Sequence, residues 1–153
     1  MIRYITGSVL EPQGTGEKFI VHVCNDAGGW GKGFTGALSH KWPQPEALYR
    51  ERKKILGTIS WIQVETNITV VNMMAQHRYS SPFRPAIRYR ALEDCLINTR
   101  DLAKWKDASI HMPRIGCGLG GGTWKKVEKI IQAVFRGHSI PVFVYDITPF
   151  KEV

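Results

Sequence analysis

Two glycine-rich turns, each leaving an apolar run and entering a helical pattern, confine this chain to folds in which strands and helices alternate. The first, Gly28-Gly29-Trp30-Gly31-Lys32-Gly33, follows Phe19-Ile20-Val21-His22-Val23-Cys24. The second, Gly116-Cys117-Gly118-Leu119-Gly120-Gly121-Gly122, follows Ala108-Ser109-Ile110-His111-Met112-Pro113-Arg114-Ile115 and leads into a helical pattern from Trp124. Glycine has no Cβ, so its backbone can approach a ligand closely. A helix N-terminus adds unpaired N–H groups and a partial positive charge. Two such loops in one small domain point to a diphosphate gripped from both sides.

The rest of the chain fits a sheet covered by helices. Apolar runs at 3–6, 18–24, 58–64, 68–75, 108–115 and 141–146 read as strands, several of them continuous, as expected where both sheet faces are covered. Helical patterns occupy 33–42 and 45–54, interrupted by Pro43 and Pro45, and a longer helix fits 85–104 on the stripe Tyr89, Leu92, Leu96 and Leu102. The last helix carries Trp124, Val127, Ile130, Ile131, Val134 and Phe135 at three- and four-residue spacing. No linker or repeat divides the sequence, so a single domain over 1–153 is expected, with one conspicuous loop at 76–86.

Composition narrows the function classes. With 43% hydrophobic and 22% charged residues, the 153-residue chain is an ordinary globular sequence able to bury a core. No apolar segment reaches bilayer length, and Met1-Ile2-Arg3-Tyr4-Ile5 has no signal-peptide design, so a cytoplasmic protein without membrane partners is expected. Cys24, Cys95 and Cys117 have neither disulfide nor metal-ligand spacing; a reducing compartment and no metal follow. The net charge of +8 attracts anions, but the basic residues are scattered and no base-reading motif accompanies them, so specific nucleic-acid binding is not expected.

Gly31-Lys32-Gly33-Phe34-Thr35-Gly36 and Gly116-Cys117-Gly118-Leu119-Gly120-Gly121 each satisfy G-x-G-x-x-G, yet no ribose-binding acid follows a later strand at the distance a dinucleotide fold needs. A P-loop fails because Gly33, not Ser or Thr, follows Gly31-Lys32. The longer strings are more specific. His22-Val23-Cys24-Asn25-Asp26-Ala27-Gly28-Gly29-Trp30-Gly31-Lys32-Gly33 resembles the first ligand loop of macro domains, in the branch of yeast-type ADP-ribose 1″-phosphate phosphatases and their bacterial and phage relatives. Met112-Pro113-Arg114-Ile115-Gly116-Cys117-Gly118-Leu119 looks like that branch's phosphate-cradling loop, and Pro85-Ala86-Ile87-Arg88-Tyr89 and Val142-Phe143-Val144-Tyr145-Asp146 match further along.

The resemblance implies an α/β fold, a three-layer α/β/α macro domain with a mixed, mostly parallel sheet and an ADP-ribose crevice at the C-terminal ends of the strands. It implies ligand contacts from Ser8, Asn25, Gly31, Gly33, Gly116, Cys117, Gly118, Leu119, Gly120 and Tyr145, the last stacking on adenine. Asn25 otherwise reads as an asparagine ending a strand, and Tyr145 as a strand aromatic. Many relatives carry Asp where this chain has Ser8, which weakens the expected grip on the adenine amino group. The lysine and aspartate of the terminal ADP-ribose glycohydrolases are missing at Met73-Met74-Ala75-Gln76 and Leu119-Gly120-Gly121.

His22 and Asp26 remain as catalytic candidates. An imidazole exchanges protons near neutrality, but a histidine on a strand is as readily a buried hydrogen-bonded group. Asp26 either orients water or ribose or caps its own loop. Gln76 and His77 are placed to border the distal ribose or to be loop polarity. Cys117 has no committed base and reads as a small residue that fits. The expected partner is ADP-ribose or ADP-ribose 1″-phosphate, with no cofactor. The expected reaction is hydrolysis at the distal ribose, release of ADP-ribose from a macromolecule and non-catalytic reading being the alternatives.

Overall fold

The computed structural model describes residues 1–148. Six strands among them, β1 (Ile2–Thr6), β2 (Lys18–Asn25), β3 (Ile59–Glu65), β4 (Ile68–Gln76), β5 (Ser109–Met112) and β6 (Val142–Asp146), form one sheet in the order β1-β6-β5-β2-β4-β3. Only the β3–β4 pair is antiparallel. The helices are α1 (Phe34–Lys41), α2 (Gln44–Glu51), α3 (Tyr89–Lys106) and α4 (Trp124–Phe135). This is the expected three-layer α/β/α fold with a mixed, mostly parallel sheet.

Side chains alternate across a strand, and here the two sets separate cleanly. Phe19, Val21, Val71, Met73, Ile110, Met112, Val142 and Val144 face one layer, packed with Leu92 and Leu96 of α3 and Val127 and Ile131 of α4. On the other side, Ile20, Val70 and Tyr145 pack with Leu38 of α1, and Cys24 and Met74 with Tyr49 of α2. The central strands β2 and β4 are buried almost throughout, which explains their continuous apolar runs. No helix among the described residues is long and apolar enough to cross a membrane.

Three boundaries differ from the sequence expectation by three residues or more. β5 stops at Met112 instead of running to 115, because Pro113 has no N–H to extend the ladder. α2 stops at Glu51 rather than 54, since exposed Arg52 and Lys53 give the next turn nothing to bury. α3 starts at Tyr89 rather than 85: the preceding backbone is bound elsewhere, with His77 N donating to Ala86 O (2.8 Å), Ile87 N to Gly120 O (3.0 Å) and Arg88 N to Ala75 O (2.8 Å).

Ile131 is fully buried between α4 and the sheet. Ile131→Ala should lower the unfolding free energy by about 2–5 kcal/mol, through lost burial and the cavity left behind. Urea denaturation of both proteins measures it, and a loss below about 1 kcal/mol would contradict the packing described.

Candidate functional site

β2 outruns its neighbour. It pairs with β5 only at Lys18, Phe19 and Ile20, then continues to Asn25, whereas β5 ends at Met112. Beyond this point the chain leaves β2 toward the α1/α2 layer and leaves β5 toward α4 on the opposite face. Such divergence at the carboxyl ends of adjacent parallel strands is where α/β sheets place a ligand crevice, and both glycine loops leave the sheet here.

The second loop is shaped by contacts only glycine allows. Gly116 has φ +74°, and a Cβ there would lie 2.9 Å from Ile87 Cδ1. A Cβ on Gly120 would lie 2.7 Å from both Gln76 Nε2 and Gly116 O. Gly121 N donates to Gly118 O (3.1 Å) and Gly122 N to Gly116 O (2.7 Å), closing the turn ahead of α4. The N–H groups of Cys117, Gly118, Leu119 and Gly120 donate to no described residue, and the Cβ direction of Gly118 is open for 4 Å. Consecutive unclaimed donors beside a helix start have the chemistry to accept an anion.

Asn25 organises the first loop. Its Oδ1 accepts from Ala27 N (3.1 Å) and Gly29 N (2.9 Å), and Tyr49 Oη donates to its carbonyl (2.6 Å). Gly31 N donates to Thr35 Oγ1 (2.9 Å) at the entry to α1. Trp30 lies over Tyr49, with ring centroids 5.0 Å apart, and its indole N–H donates to Ser39 Oγ (2.6 Å). The loops approach each other at the rim: a Cβ on Gly33 would stand 3.6 Å from Leu119 Cδ1.

The segment between β4 and α3 ties both loops together. Ser80 Oγ donates to Leu119 O (2.9 Å), and the Tyr79 ring lies 3.0 Å from where a Gly29 Cβ would be. At the base of this strap, His77 Nδ1 is 2.6 Å from Asp26 Oδ2, and Arg78 N donates to Asp26 Oδ1 (2.8 Å). Burial alone would raise the Asp26 carboxyl, but the bonds from His77 and the Arg78 amide hold it below the usual carboxylate range. Among the described residues, no group of three His, Cys, Asp or Glu side chains could hold a metal ion. A cavity of about 390 Å³ lined by Glu17, Lys104, Asp107, Ser109 and His138 shares no residue with the glycine loops.

No family model matches the chain. A Bacteroides thetaiotaomicron protein of unknown function is 44% identical, with a TM-score of 0.91 over 95% of this chain and 98% of that one. A macrodomain protein from Streptomyces coelicolor is 42% identical, with a TM-score of 0.83 over 95% of this chain and 99% of that one. The chain belongs to the macrodomain family. Thermosipho africanus DarTG in complex with ADP-ribose shares the fold at 19% identity and TM-score 0.71, over 90% of this chain and 39% of that one. Among curated proteins, mouse chromodomain-helicase-DNA-binding protein 1-like is 32% identical over 94% of this chain, and the Candida glabrata ADP-ribose 1″-phosphate phosphatase is 24% identical over 93% of this chain and 97% of its own. This chain spans 17% of the mouse protein and 15% of its zebrafish counterpart.

In this macrodomain the residues singled out from sequence divide into two groups. Asn25, Asp26, Gly31, Gly33, Gly116, Cys117, Gly118, Leu119 and Gly120 lie in the two glycine loops, which come together at Gly33 and Leu119. Cys117 is half-buried, and burial pushes its thiol up to about 11, so it is a poor nucleophile at neutral pH. Ser8 is exposed in the turn after β1, where its hydroxyl accepts from Leu10 N (3.2 Å). His22 and Tyr145 are inside the α1/α2 layer. Tyr145 is 4% exposed, accepts from Gln13 N (2.9 Å) and shares a hydrogen bond with His111 Nδ1 (2.7 Å). His22 packs edge-on against Trp30 and beside Phe34. Because Asn72 Nδ2 donates to Pro45 O (3.1 Å), its Oδ1 faces His22 and takes the Nε2 proton (2.6 Å).

Sequence reasoning passed over the pairing of Asp26 with His77, the Ser80 tie and the bidentate pair of Arg114 with Asp146 (2.8 and 2.9 Å) at the ends of β5 and β6. The arginine-aspartate pair had a visible signal: Asp146 is the last residue of β6, and Arg114 lies two residues past the end of the neighbouring parallel strand β5. The strap had its length and the polarity of Gln76 and His77 as a signal, but nothing local showed that His77 meets Asp26 or that Ser80 meets Leu119.

Burial lowers His22 to about 4 from an ordinary 6.5, against the smaller opposing pull of its bond with Asn72, and lowers His111 to about 4 as well. Between those values the unfolded chain binds more protons than the folded one. Stability therefore rises with pH across that window and is lost as pH falls through it. Unfolding free energy measured in urea should drop on the order of a few kcal/mol from pH 7 to 4.5. His22→Gln should show a smaller drop, and an equal one would remove His22 from the account.

Proposed function

We propose that this macrodomain binds ADP-ribose or a derivative in the crevice and hydrolyses at the distal ribose, with ADP-ribose 1″-phosphate, converted to ADP-ribose, as its first substrate. The observation that carries this reading is the run of N–H groups at Cys117, Gly118, Leu119 and Gly120 that donate to no described residue, in a loop that meets the first glycine loop at Gly33. A diphosphate satisfies such donors without a metal, and Gly31 and Gly33 supply the other wall. The phosphatase named in Candida glabrata and the ADP-ribose complex of the Thermosipho protein support this ligand class. Asn25, whose Oδ1 is committed to its own loop, has its Nδ2 group left for a ribose hydroxyl.

A second reading, release of ADP-ribose from a macromolecule, is favoured by the strap. Tyr79 is 66% and Phe83 97% exposed there, beside Arg78 and Arg84, a surface large enough to meet an attached chain. Non-catalytic recognition is the outcome if neither substrate turns over.

Calorimetry with ADP-ribose tests the site. The open space at Gly118 lets Gly118→Glu fold, while its carboxylate lies against the incoming diphosphate; the affinity should fall at least ~100-fold with little change in thermal midpoint. Unchanged affinity in the folded variant would remove the diphosphate from this loop.

A further inference from the structure

We propose that Asp26 and His77 form a general-base dyad for the crevice, with His77 Nε2 taking the proton of the attacking water. This rests on the hydrolase reading above and names the group that performs the chemistry.

The five histidines differ in what their nitrogens can do. His22 is 2% exposed, with its Nε2 proton given to Asn72. His111 is fully buried, with Ser109 Oγ on Nε2 (2.7 Å) and Tyr145 Oη on Nδ1 (2.7 Å). His40 lies in the last turn of α1, and His138 follows α4. His77 is different: its side chain is 39% exposed at the crevice, Nδ1 is bound to a carboxylate, and Nε2 has no partner among the described residues.

The pairing fixes the tautomer. An ionised Asp26 can only accept, so the short contact places the ring proton on Nδ1 and leaves the Nε2 lone pair as the basic site. The carboxylate also stabilises the imidazolium formed when Nε2 takes up a proton, and the Arg78 amide on Oδ1 holds that carboxylate in place. A base oriented by a third group in this way is a recurring arrangement for activating a nucleophile.

The surroundings locate the dyad between the loops. Asp26 directly follows Asn25, the residue that ties down the first loop, and His77 directly follows Gln76, whose amide packs against Gly120 of the second. With ADP-ribose 1″-phosphate, the water oxygen bonds to phosphorus as its proton passes to Nε2. The bond from phosphorus to the ribose 1″ oxygen breaks, that oxygen takes a proton from solvent water on the far side of the phosphorus, and the imidazolium gives its proton back to solvent. Phosphate and ADP-ribose leave, and the enzyme ends in its starting protonation state.

Phosphate release from ADP-ribose 1″-phosphate and calorimetric binding of ADP-ribose, measured on the whole chain, test the dyad. His77→Ala should lower kcat by ~100-fold or more and Asp26→Asn by a smaller factor, with ADP-ribose affinity within about threefold of wild type. Imidazole added to His77→Ala should restore part of the turnover, which a merely structural role would not predict. If His77→Ala fails to fold, His77→Gln retains a donor for Asp26 without a basic nitrogen. Wild-type kcat in either folded variant, or kcat falling only in step with affinity, overturns the dyad. A wild-type protein that binds ADP-ribose and releases no phosphate overturns the dyad and this hydrolase activity while the crevice assignment stands; one that binds no ADP-ribose overturns the crevice assignment itself.

Discussion

The early end of β5 is the constraint on which the crevice depends. Pro113 removes the donor that would carry the strand onward, and β2, still paired with β4, continues alone to Asn25. The space above β5 is filled by backbone rather than by another strand, with Ile115 2% exposed as the hydrophobic anchor and the glycines after it turning back toward α4. A longer β5 would extend the β2–β5 ladder into the space that the second glycine loop occupies.

The unclaimed N–H groups of the second loop include those of exposed Gly118 and Leu119, where water can solvate them until an anion takes its place. The carbonyl side of the loop is tied to the protein instead. Gly116 O accepts from Gly122, Gly118 O from Gly121, Leu119 O from Ser80 and Gly120 O from Ile87. The carbonyls face the protein while the amides stay available, a polarity suited to an anion. The strap that supplies Ser80 and Ile87 thus belongs to the crevice as much as the glycines do.

Histidine shows how environment divides one residue type into several. In this macrodomain His22 and His111 hold the α1/α2 layer together as neutral hydrogen-bonded groups, and their proton affinity is lowered by burial. His77 keeps an exposed ring against an ionised partner. His22 and His111 sit inside strands between apolar neighbours, whereas His77 directly follows β4 between Gln76 and Arg78.

Much of the fold was legible without coordinates. Continuous apolar runs marked β2 and β4, the stripe from Trp124 to Phe135 marked α4, and the two glycine strings placed the loops. These are local properties: period, chain stiffness and the lack of a Cβ act within a few residues. The matching strings also indicated the macrodomain family. Where α3 begins was not legible, because residues 86–88 are held by His77, Gly120 and Ala75 rather than by their own propensity. Nor was the work each polar side chain does. His22 meets Asn72 across 50 positions and His77 meets Asp26 across 51, and only the folded sheet decides which imidazole is sealed in the core and which faces the crevice. Sequence by itself determined the layers and the loops. Tertiary structure decided the protonation and partners, because those depend on burial and on contacts between segments far apart in the chain.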